Sequence, residues 1–401
     1  MTDDHERLRR QVRDFAEAEV APRVPHMESS AAVERELSAL IARQGWIGAT
    51  IDPAYGGMGA DHLAKTLIIE ELSRVSGAMG AMTQASQLGA AKIIHFGTEE
   101  QKRTWLPAIA AGECLPTIAV TEPESGGHVL GMHSTARREG NEYVLNGRKV
   151  FVGNSHIGHL HGIVVRTRPG SKGLSAFLVE ADRPGLSLTP YRPAMGLRGF
   201  SFGELVLDRV RVPATNLLGD EGDGLAVAYS SSILYGRPNL TAVALGLHQA
   251  IVDETLREVR ERHRYGKPLA DLPTIRHKIG LMQHRLMTAR LTAYHAVHLL
   301  DHGRPCDTEL INAKYHNVEA ALDSARTAME IHGAAGLHTD RPLERLVRDA
   351  FHVYAPAGTG DIQLHRLAEA ALGTSHRPWS QRLAHLTRRR DPEGLDTAVP
   401  R

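Results

Sequence analysis

The stretch Cys114–Gly127, with the sequence CLPTIAVTEPESGG, joins an apolar segment to a loop rich in glycine. Its first half, Leu115–Val120, is apolar and β-branched and predicts a short buried strand. Pro123 and the pair Gly126–Gly127 end that strand and leave backbone N–H groups without strand partners. Such a loop can donate hydrogen bonds to the carbonyls or phosphates of a cofactor. The local pattern fits an ordinary strand and turn equally well.

The composition is that of a globular protein. Of the 401 residues, 42% are hydrophobic and 23% are charged, and the formal net charge is +1. This balance gives no general attraction to nucleic acid or to a membrane surface. The first twenty residues mix both charges and show no secretory signal, and the chain contains only two cysteines. We therefore expect a cytoplasmic protein without a disulfide framework, and the scattered histidines predict no metal site.

Periodicity divides the chain into three units and a tail. Helical spacing predicts an N-terminal α-helical domain over residues 1–112, with Thr98 capping a helix. Short alternating runs predict a β-domain over residues 113–222, with Asn146–Gly147 as a hairpin turn. Long helical runs predict a bundle over residues 223–375, and residues 376–401 are expected to form a flexible tail.

Within the bundle, residues 234–263 predict one nearly unbroken helix. Pro238 must then lie in its first turn or kink it.

Several motifs, taken in order, resemble those of the acyl-CoA dehydrogenase family along nearly the whole chain. No single motif is decisive, but so many in the same order exceed chance. They are YGGMG at 55–59, FGTEEQK at 96–102, TEPESGG at 121–127, YVLNG at 143–147, MGLRG at 195–199, RHRYGKP at 262–268, RDA at 348–350 and GTGDIQ at 358–363.

The resemblance implies an α+β fold, with an N-terminal helical domain, a middle β-barrel domain and a C-terminal four-helix bundle. It also implies an FAD-dependent oxidoreductase that introduces an α,β double bond into an acyl thioester, on CoA or on an acyl carrier protein. A carboxylate base takes the α-proton and the flavin takes the β-hydride. The implied partners are an electron-accepting flavoprotein or oxygen, and a second copy of the chain in a homodimer or homotetramer.

By the same resemblance, several residues would lie at the FAD. Arg262 would bind the pyrophosphate across a dimer interface, since a guanidinium matches a phosphate. Thr359 would lie near the phosphates, or otherwise cap the following helix. Arg237 would contact the substrate. The complete set of expected cofactor residues is Val120, Thr121, Gly126, Gly127, Phe151, Gly153, Arg262, Tyr265, Glu330, Gly333, Thr359 and Asp361.

The chain departs from the family where the chemistry is expected. The usual catalytic glutamate precedes the GT of the C-terminal motif, where this chain has Ala357, and the alternative glutamate position holds Gly236. Neither side chain can accept a proton. Gly153 replaces a threonine whose hydroxyl lies near the flavin, and Glu330 and Pro273 each replace a glutamine. Glu330 would disfavour a nearby phosphate unless it is paired.

Two residues are candidate replacement bases. Asp361 lies in the C-terminal motif, although an acid there usually has a structural role in the family. Tyr235 lies beside the alternative base position, but a phenol is a weak base unless its pKa is lowered. Glu330 is a weaker third candidate.

Three functions remain open from the sequence. The first is dehydrogenation with a non-standard base, or with a substrate that needs none. The second is a non-catalytic or half-site subunit that works with a paralogous chain. The third keeps the fold for a flavin monooxygenase, or for a redox-neutral lyase or cyclase.

Overall fold

A computed structural model describes residues 1–30, 32–170, 172–375 and 378–382. Its first third is helical. Thr98 caps α6 as predicted: its Oγ1 accepts from the Gln101 N–H at 3.2 Å, and Gln101 Oε1 accepts from the Thr98 N–H at 3.0 Å. The helices are α1 (Asp3–Phe15), α2 (Val24–Ser29), α3 (Arg35–Ala42), α4 (His62–Val75), α5 (Gly77–Phe96) and α6 (Glu99–Ala110).

The middle third is one eight-stranded sheet. The strand order is β6-β7-β3-β2-β4-β5-β8, and β1 runs parallel to β4, with Pro116 opposite Leu160. Alternating apolar side chains such as Ile163 and Phe177 fill one face. The strands are β1 (Pro116–Ala119), β2 (Thr135–Glu139), β3 (Glu142–Gly153), β4 (Leu160–Arg166), β5 (Leu174–Glu180), β6 (Leu186–Leu188), β7 (Phe202–Pro213) and β8 (Leu217–Leu218).

The hairpin turn predicted at Asn146–Gly147 is wrong. Both residues lie inside β3, where Asn146 pairs with β2 and Gly147 pairs with β7 across a register shift. Gly147 has φ +144°, and Asn146 Oδ1 accepts from the Arg209 N–H at 2.9 Å. The pair therefore forms a bulge in a long strand, which glycine also favours. The chain turns earlier, at Gly140, where φ is +63°.

The last third is helical again. The helix predicted over residues 234–263 is helical as far as Glu261. A π-helical turn, Ser232–Gly236, runs directly into α8, and Pro238 occupies the first turn of α8. α8 packs against α4, α9, α10 and α11. The elements are α7 (Gly224–Ser231), α8 (Arg237–Glu261), β9 (His263–Arg264), β10 (Lys267–Pro268), α9 (Pro273–Asp301), α10 (Asp307–His332), α11 (Pro342–His352), α12 (Gly360–Ala371) and α13 (Trp379–Arg382).

Part of the predicted flexible tail is held in place. The carboxylate of Asp307 accepts hydrogen bonds from the backbone N–H groups of Trp379 at 2.7 Å and Ser380 at 2.9 Å. The Trp379 ring stacks on Tyr229, with centroids 5.9 Å apart. Residues 378–382 therefore make defined contacts with α7 and α10. Residues 376–377 and 383–401 of the predicted tail lie outside the described residues.

None of the helices described is long and apolar enough to cross a bilayer. No group of three His, Cys, Asp or Glu side chains in that part of the chain is placed to hold a metal ion.

Candidate active site

A buried ion pair holds the segment after β1. Lys149 Nζ donates to Glu122 Oε1 at 2.7 Å and to the Val120 carbonyl at 3.1 Å. The Glu122 carboxylate also accepts from the backbone N–H groups of His133 and Ser134, at 2.6 and 3.0 Å. Burial lowers the pKa of Lys149 to about 8, against the opposing effect of Glu122. The carbonyl of Val120 is thus held by Lys149, and the carbonyl of Thr121 accepts from the Val150 N–H at 2.9 Å. Both residues are half-buried.

The glycine loop of this segment reaches α12. A Cβ built on Gly127 would lie 3.7 Å from Ile362 Cδ1, whereas one on Gly126 would meet nothing within 4 Å. Both glycines are exposed. The structure therefore brings the loop and the start of α12, two segments far apart in sequence, to one place.

Phe151 presents an aromatic face beside this segment. It lies at φ +57°, and 63% of its surface is exposed. Its ring stacks on Phe202 with centroids 5.5 Å apart, and Phe202 in turn stacks on Phe200 at 6.1 Å.

The same aromatic group leaves little room for a side chain at Gly153. A Cβ at this position would lie 3.1 Å from Phe200 Cζ and 3.0 Å from Ala85 Cβ. Phe200 is buried and therefore occupies the space that a side chain at position 153 would need.

Replacing Gly153 with alanine is expected to lower the free energy of unfolding by about 1–3 kcal/mol, because the added methyl overpacks this contact. Urea denaturation measures the change. The control is Gly126→Ala, where a Cβ meets nothing within 4 Å, with an expected change within about 0.5 kcal/mol. Equal effects of the two substitutions would contradict the packing argument.

The two positions that hold the base in the family lie side by side. A Cβ built on Gly236 would be 3.7 Å from the Cβ of Ala357. Gly236 is the last residue of the π-helical turn, and Ala357 lies in the loop before α12 at φ +57°. A side chain at either position would therefore enter the same space, and neither residue has a carboxylate.

The loop that carries Ala357 is held by two side chains. Gln363 Nε2 donates to the carbonyls of Ala357 and Gly358, at 2.9 and 3.0 Å. Lys314 Nζ donates to the carbonyls of Tyr354 and Gly358, at 2.7 and 2.9 Å. Arg237 Nε donates to Gln363 Oε1 at 3.0 Å. The guanidinium is therefore linked to this loop through Gln363.

Arg237 also lines a cleft of about 540 Å³, called here the Arg237 cleft. Its walls come from the β-domain loop, α7, the π-helical turn, the first residue of α8 and the helices α10, α12 and α13. The lining residues used below are Gly127, Val129, Leu225, Tyr229, Ile233, Arg237, Asp307, Ile311, Arg366, Glu369 and Trp379.

Tyr235 points into the protein core. Only 2% of its surface is exposed, its hydroxyl lies 3.2 Å from Thr50 Oγ1, and Lys65 Nζ lies 4.2 Å from its ring centroid. Burial raises the pKa of Tyr235 to about 12. A buried phenol with a raised pKa is a poorer base than a free one, so the structure does not support Tyr235 in that role.

Asp361 and Thr359 lie at the start of α12. Asp361 is exposed in the first turn, where a carboxylate favours the helix dipole. Thr359 occupies the N-cap position, but its side chain makes no capping hydrogen bond. Its predicted alternative role as a side-chain cap is therefore wrong.

The other expected cofactor residues lie at the far end of α8. Arg262 Nη1 donates to the His332 carbonyl at 2.6 Å and to Glu258 at 3.1 Å, beside Gly333 at the end of α10. Tyr265 is 90% exposed. An α-helix rises 1.5 Å per residue, so Arg262 lies about 37 Å along α8 from Arg237. One chain therefore does not bring the two sets together.

Glu330, at this far end, is paired. Lys278 Nζ donates to its carboxylate at 2.7 Å and holds the pKa of Glu330 below its usual value. Such pairing is the condition under which a carboxylate tolerates a neighbouring phosphate.

Sequence reasoning missed three residues of the site. Gln363 appears in the sequence only as the last residue of the GTGDIQ motif, and no motif contains Lys314 or Phe200. Lys314 lies on the buried face of α10 between Leu310 and Val318, and a lysine on an apolar helical face is a signal that could have been read. Nothing in the sequence pairs Phe200 with Gly153.

Three family descriptions match this chain in order. The acyl-CoA dehydrogenase N-terminal domain matches residues 2–113, the middle domain residues 117–210 and the C-terminal domain residues 222–372.

Individual proteins match over most of their length. An acyl-CoA dehydrogenase of Bacillus subtilis is 35% identical over 376 residues, which cover 93% of this chain and 99% of that protein. A 3-(aryl)acrylate reductase of Clostridium sporogenes is 33% identical over 365 residues, 90% of this chain and 97% of that protein. An acyl-CoA dehydrogenase of Bacillus anthracis, solved in complex with FAD, superimposes with a TM-score of 0.87 at 28% identity, covering 93% of this chain and 67% of that one.

Proposed function

Because the chain belongs to the acyl-CoA dehydrogenase family, we propose that it binds FAD and oxidises the α,β-bond of an acyl thioester on CoA or on a carrier protein. It does so without a glutamate at either of the usual base positions, which are Ala357 and Gly236 in this chain. The electrons leave to an electron-accepting flavoprotein or to oxygen. The single observation that carries the proposal is a pair of contacts: the glycine loop reaches Ile362 at the start of α12, and Gly236 and Ala357 lie side by side next to Arg237, which lines the cleft.

The β-domain residues near the glycine loop fit a flavin. Phe151 offers an exposed ring face, and Gly126 and Gly127 leave room for close approach to the backbone. Val120 and Thr121 would form the wall against the ring system, and bound FAD would supply the hydride acceptor. The relative solved with FAD supports the same cofactor.

The chain's own contribution is positioning and charge. Gln363 and Lys314 fix the carbonyls of the loop before α12, so the substrate meets a rigid surface at Ala357. Arg237 supplies a buried positive charge to the cleft and, through Gln363, helps to hold this loop. Of the three candidate bases, Tyr235 is buried and Glu330 lies at the far end of α8, so Asp361 remains, and it is exposed.

Flavin content and flavin reduction test the proposal. The purified chain is incubated with FAD, desalted and examined by absorbance, and is then titrated anaerobically with saturated acyl-CoA thioesters. We expect about one FAD per chain and bleaching by at least one thioester. A chain that stays colourless after incubation would rule the proposal out. Bound FAD that no thioester perturbs would favour the monooxygenase or redox-neutral alternatives.

A second candidate is a half-site subunit. The distance of about 37 Å between Arg237 and Arg262 means that an FAD contacting both ends of α8 would draw on two chains. A paralogous partner could then supply a base that this chain lacks, while this chain supplies Arg262. Co-expression with related chains tests the idea: turnover only in the hetero-oligomer supports it, and an active homo-oligomer contradicts it.

A further inference from the structure

The Arg237 cleft is apolar apart from a few charged side chains. Val129, Leu225, Ile233 and Ile311 supply much of its wall. Clefts of this size and lining bind small ligands, and their few polar groups decide which ligand is accepted. The charged residues that line the cleft therefore indicate which chemical groups a substrate must have to bind there.

Most of these charges already have partners. Arg366 Nη1 donates to Glu369 Oε2 at 2.7 Å. Asp307 accepts the backbone N–H groups of Trp379 and Ser380. These three side chains are thus used within the protein.

Arg237 differs from them. Only 5% of its surface is exposed, Nε is bonded to Gln363, and Nη1 has no hydrogen-bond partner among the described residues. Burial lowers the pKa of Arg237 to about 10, so the group is still charged at neutral pH. A buried charge with an unused donor is unfavourable unless something pairs with it.

A second buried cation, Lys314, adds to the positive charge near Arg237 and favours the binding of an anion. Lys314, which is 1% exposed, is close enough to Arg237 for the two charges to repel, and burial followed by Arg237 lowers the pKa of Lys314 to about 8. Lys314 Nζ is bonded to neutral backbone carbonyls. Asp307 opposes the lowering of the pKa of Arg237, and Glu319 opposes that of Lys314. Neither acid is hydrogen-bonded to its cation among the described residues, and no carboxylate stands at position 236 or 357.

We propose that Arg237 binds a carboxylate carried on the acyl group of the substrate, beside the side-chain-poor positions Gly236 and Ala357. A carboxylate suits a guanidinium because two oxygens can accept from its N–H groups in one plane. Ala357 and Gly236 carry no carboxylate that would compete for Arg237 or repel the ligand. The inference rests on the proposed function, and it narrows the substrate to thioesters of acids with a second carboxyl group.

The test compares matched ligands on the FAD-loaded protein. Succinyl-, glutaryl- and adipyl-CoA are each titrated by calorimetry against the uncharged acyl-CoA of the same carbon number, with free CoA as a reference. Charge-assisted hydrogen bonds of this kind predict that at least one carboxylated thioester binds about ten- to a hundredfold more tightly than its uncharged match. In Arg237→Gln that ratio should fall to about one, while the uncharged ligand keeps its affinity.

A pair of variants at Ala357 covers the case in which Arg237→Gln does not fold. Ala357→Glu adds a like charge beside the bound carboxylate, whereas Ala357→Gln adds the same bulk without charge. We expect Ala357→Glu to weaken the carboxylated ligand at least tenfold more than Ala357→Gln does, with equal effects on the uncharged ligand. Equal effects of both variants on both ligands would overturn the inference.

The remaining outcomes separate the two proposals. If thioesters bind the FAD-loaded chain with no preference for a carboxylate, the inference fails and the proposed function stands. If Arg237→Gln weakens free CoA itself, Arg237 serves a phosphate and the carboxylate assignment is wrong. If no thioester of either kind binds, both proposals fail.

Discussion

Replacing Ala357 with glutamate is expected to raise the rate of flavin reduction by uncharged saturated acyl-CoA thioesters about a hundredfold to ten-thousandfold. A positioned general base contributes a factor of this size. Ala357 already occupies a left-handed backbone conformation, at φ +57°, so the longer side chain adds no new backbone strain. Stopped-flow absorbance of the bound flavin measures the rate.

Gly236→Glu provides an independent route to the same result. The residue has helical φ and ψ of −57° and −52°, and a Cβ there has no neighbour closer than 3.7 Å. Since both Cβ positions face one another, either glutamate should restore proton abstraction. Ala357→Gln is the control, because it has the size of glutamate without a basic oxygen. An increase with glutamine equal to that with glutamate, or no increase in either glutamate variant, would contradict the assignment of these positions.

Replacing Lys149 with methionine is expected to lower the free energy of unfolding by about 3–5 kcal/mol. The substitution leaves the buried carboxylate of Glu122 without its cationic partner, which is the costly way to break a buried ion pair. Urea denaturation followed by circular dichroism measures the change. Glu122→Gln combined with Lys149→Met should cost less than the sum of the two single substitutions, because the charges are removed together.

The neighbouring residue supplies the control. Arg148 Nε donates to Glu204 at 3.0 Å, but the arginine side chain is 53% exposed. Arg148→Met should change stability by less than about 1 kcal/mol. If the two substitutions have similar effects, Lys149 does not support the wall formed by Val120 and Thr121 in the way described.

The sequence predicted the fold well because its signals are local. Thr98 caps α6 as expected, and its partner in the cap, Gln101, is only three residues away. The expected α+β fold of helical, sheet and helical domains is confirmed by the family matches. The prediction at Asn146–Gly147 failed because a bulge and a turn both favour glycine, and only the two flanking strands decide between them.

The candidate site was predictable only in part. The motifs identified Ala357 and Gly236 as positions without a base, but not that their Cβ positions would be in contact. The unused donor of Arg237 depends on packing between α8 and α12, and the requirement for Gly153 depends on Phe200. These contacts join residues that are 47 to 126 positions apart in the chain. A single sequence has no local pattern that predicts such contacts.

The π-helical turn at Ser232–Gly236 also bears on how this site could have diverged. A π-turn holds one more residue than an α-turn, and such turns often mark functional sites. A one-residue insertion or deletion there would change which side chain faces Ala357 while α8 keeps its packing against α4 and α10. The turn is therefore a place where the catalytic position can be exchanged by an indel, without redesign of the bundle that supports it.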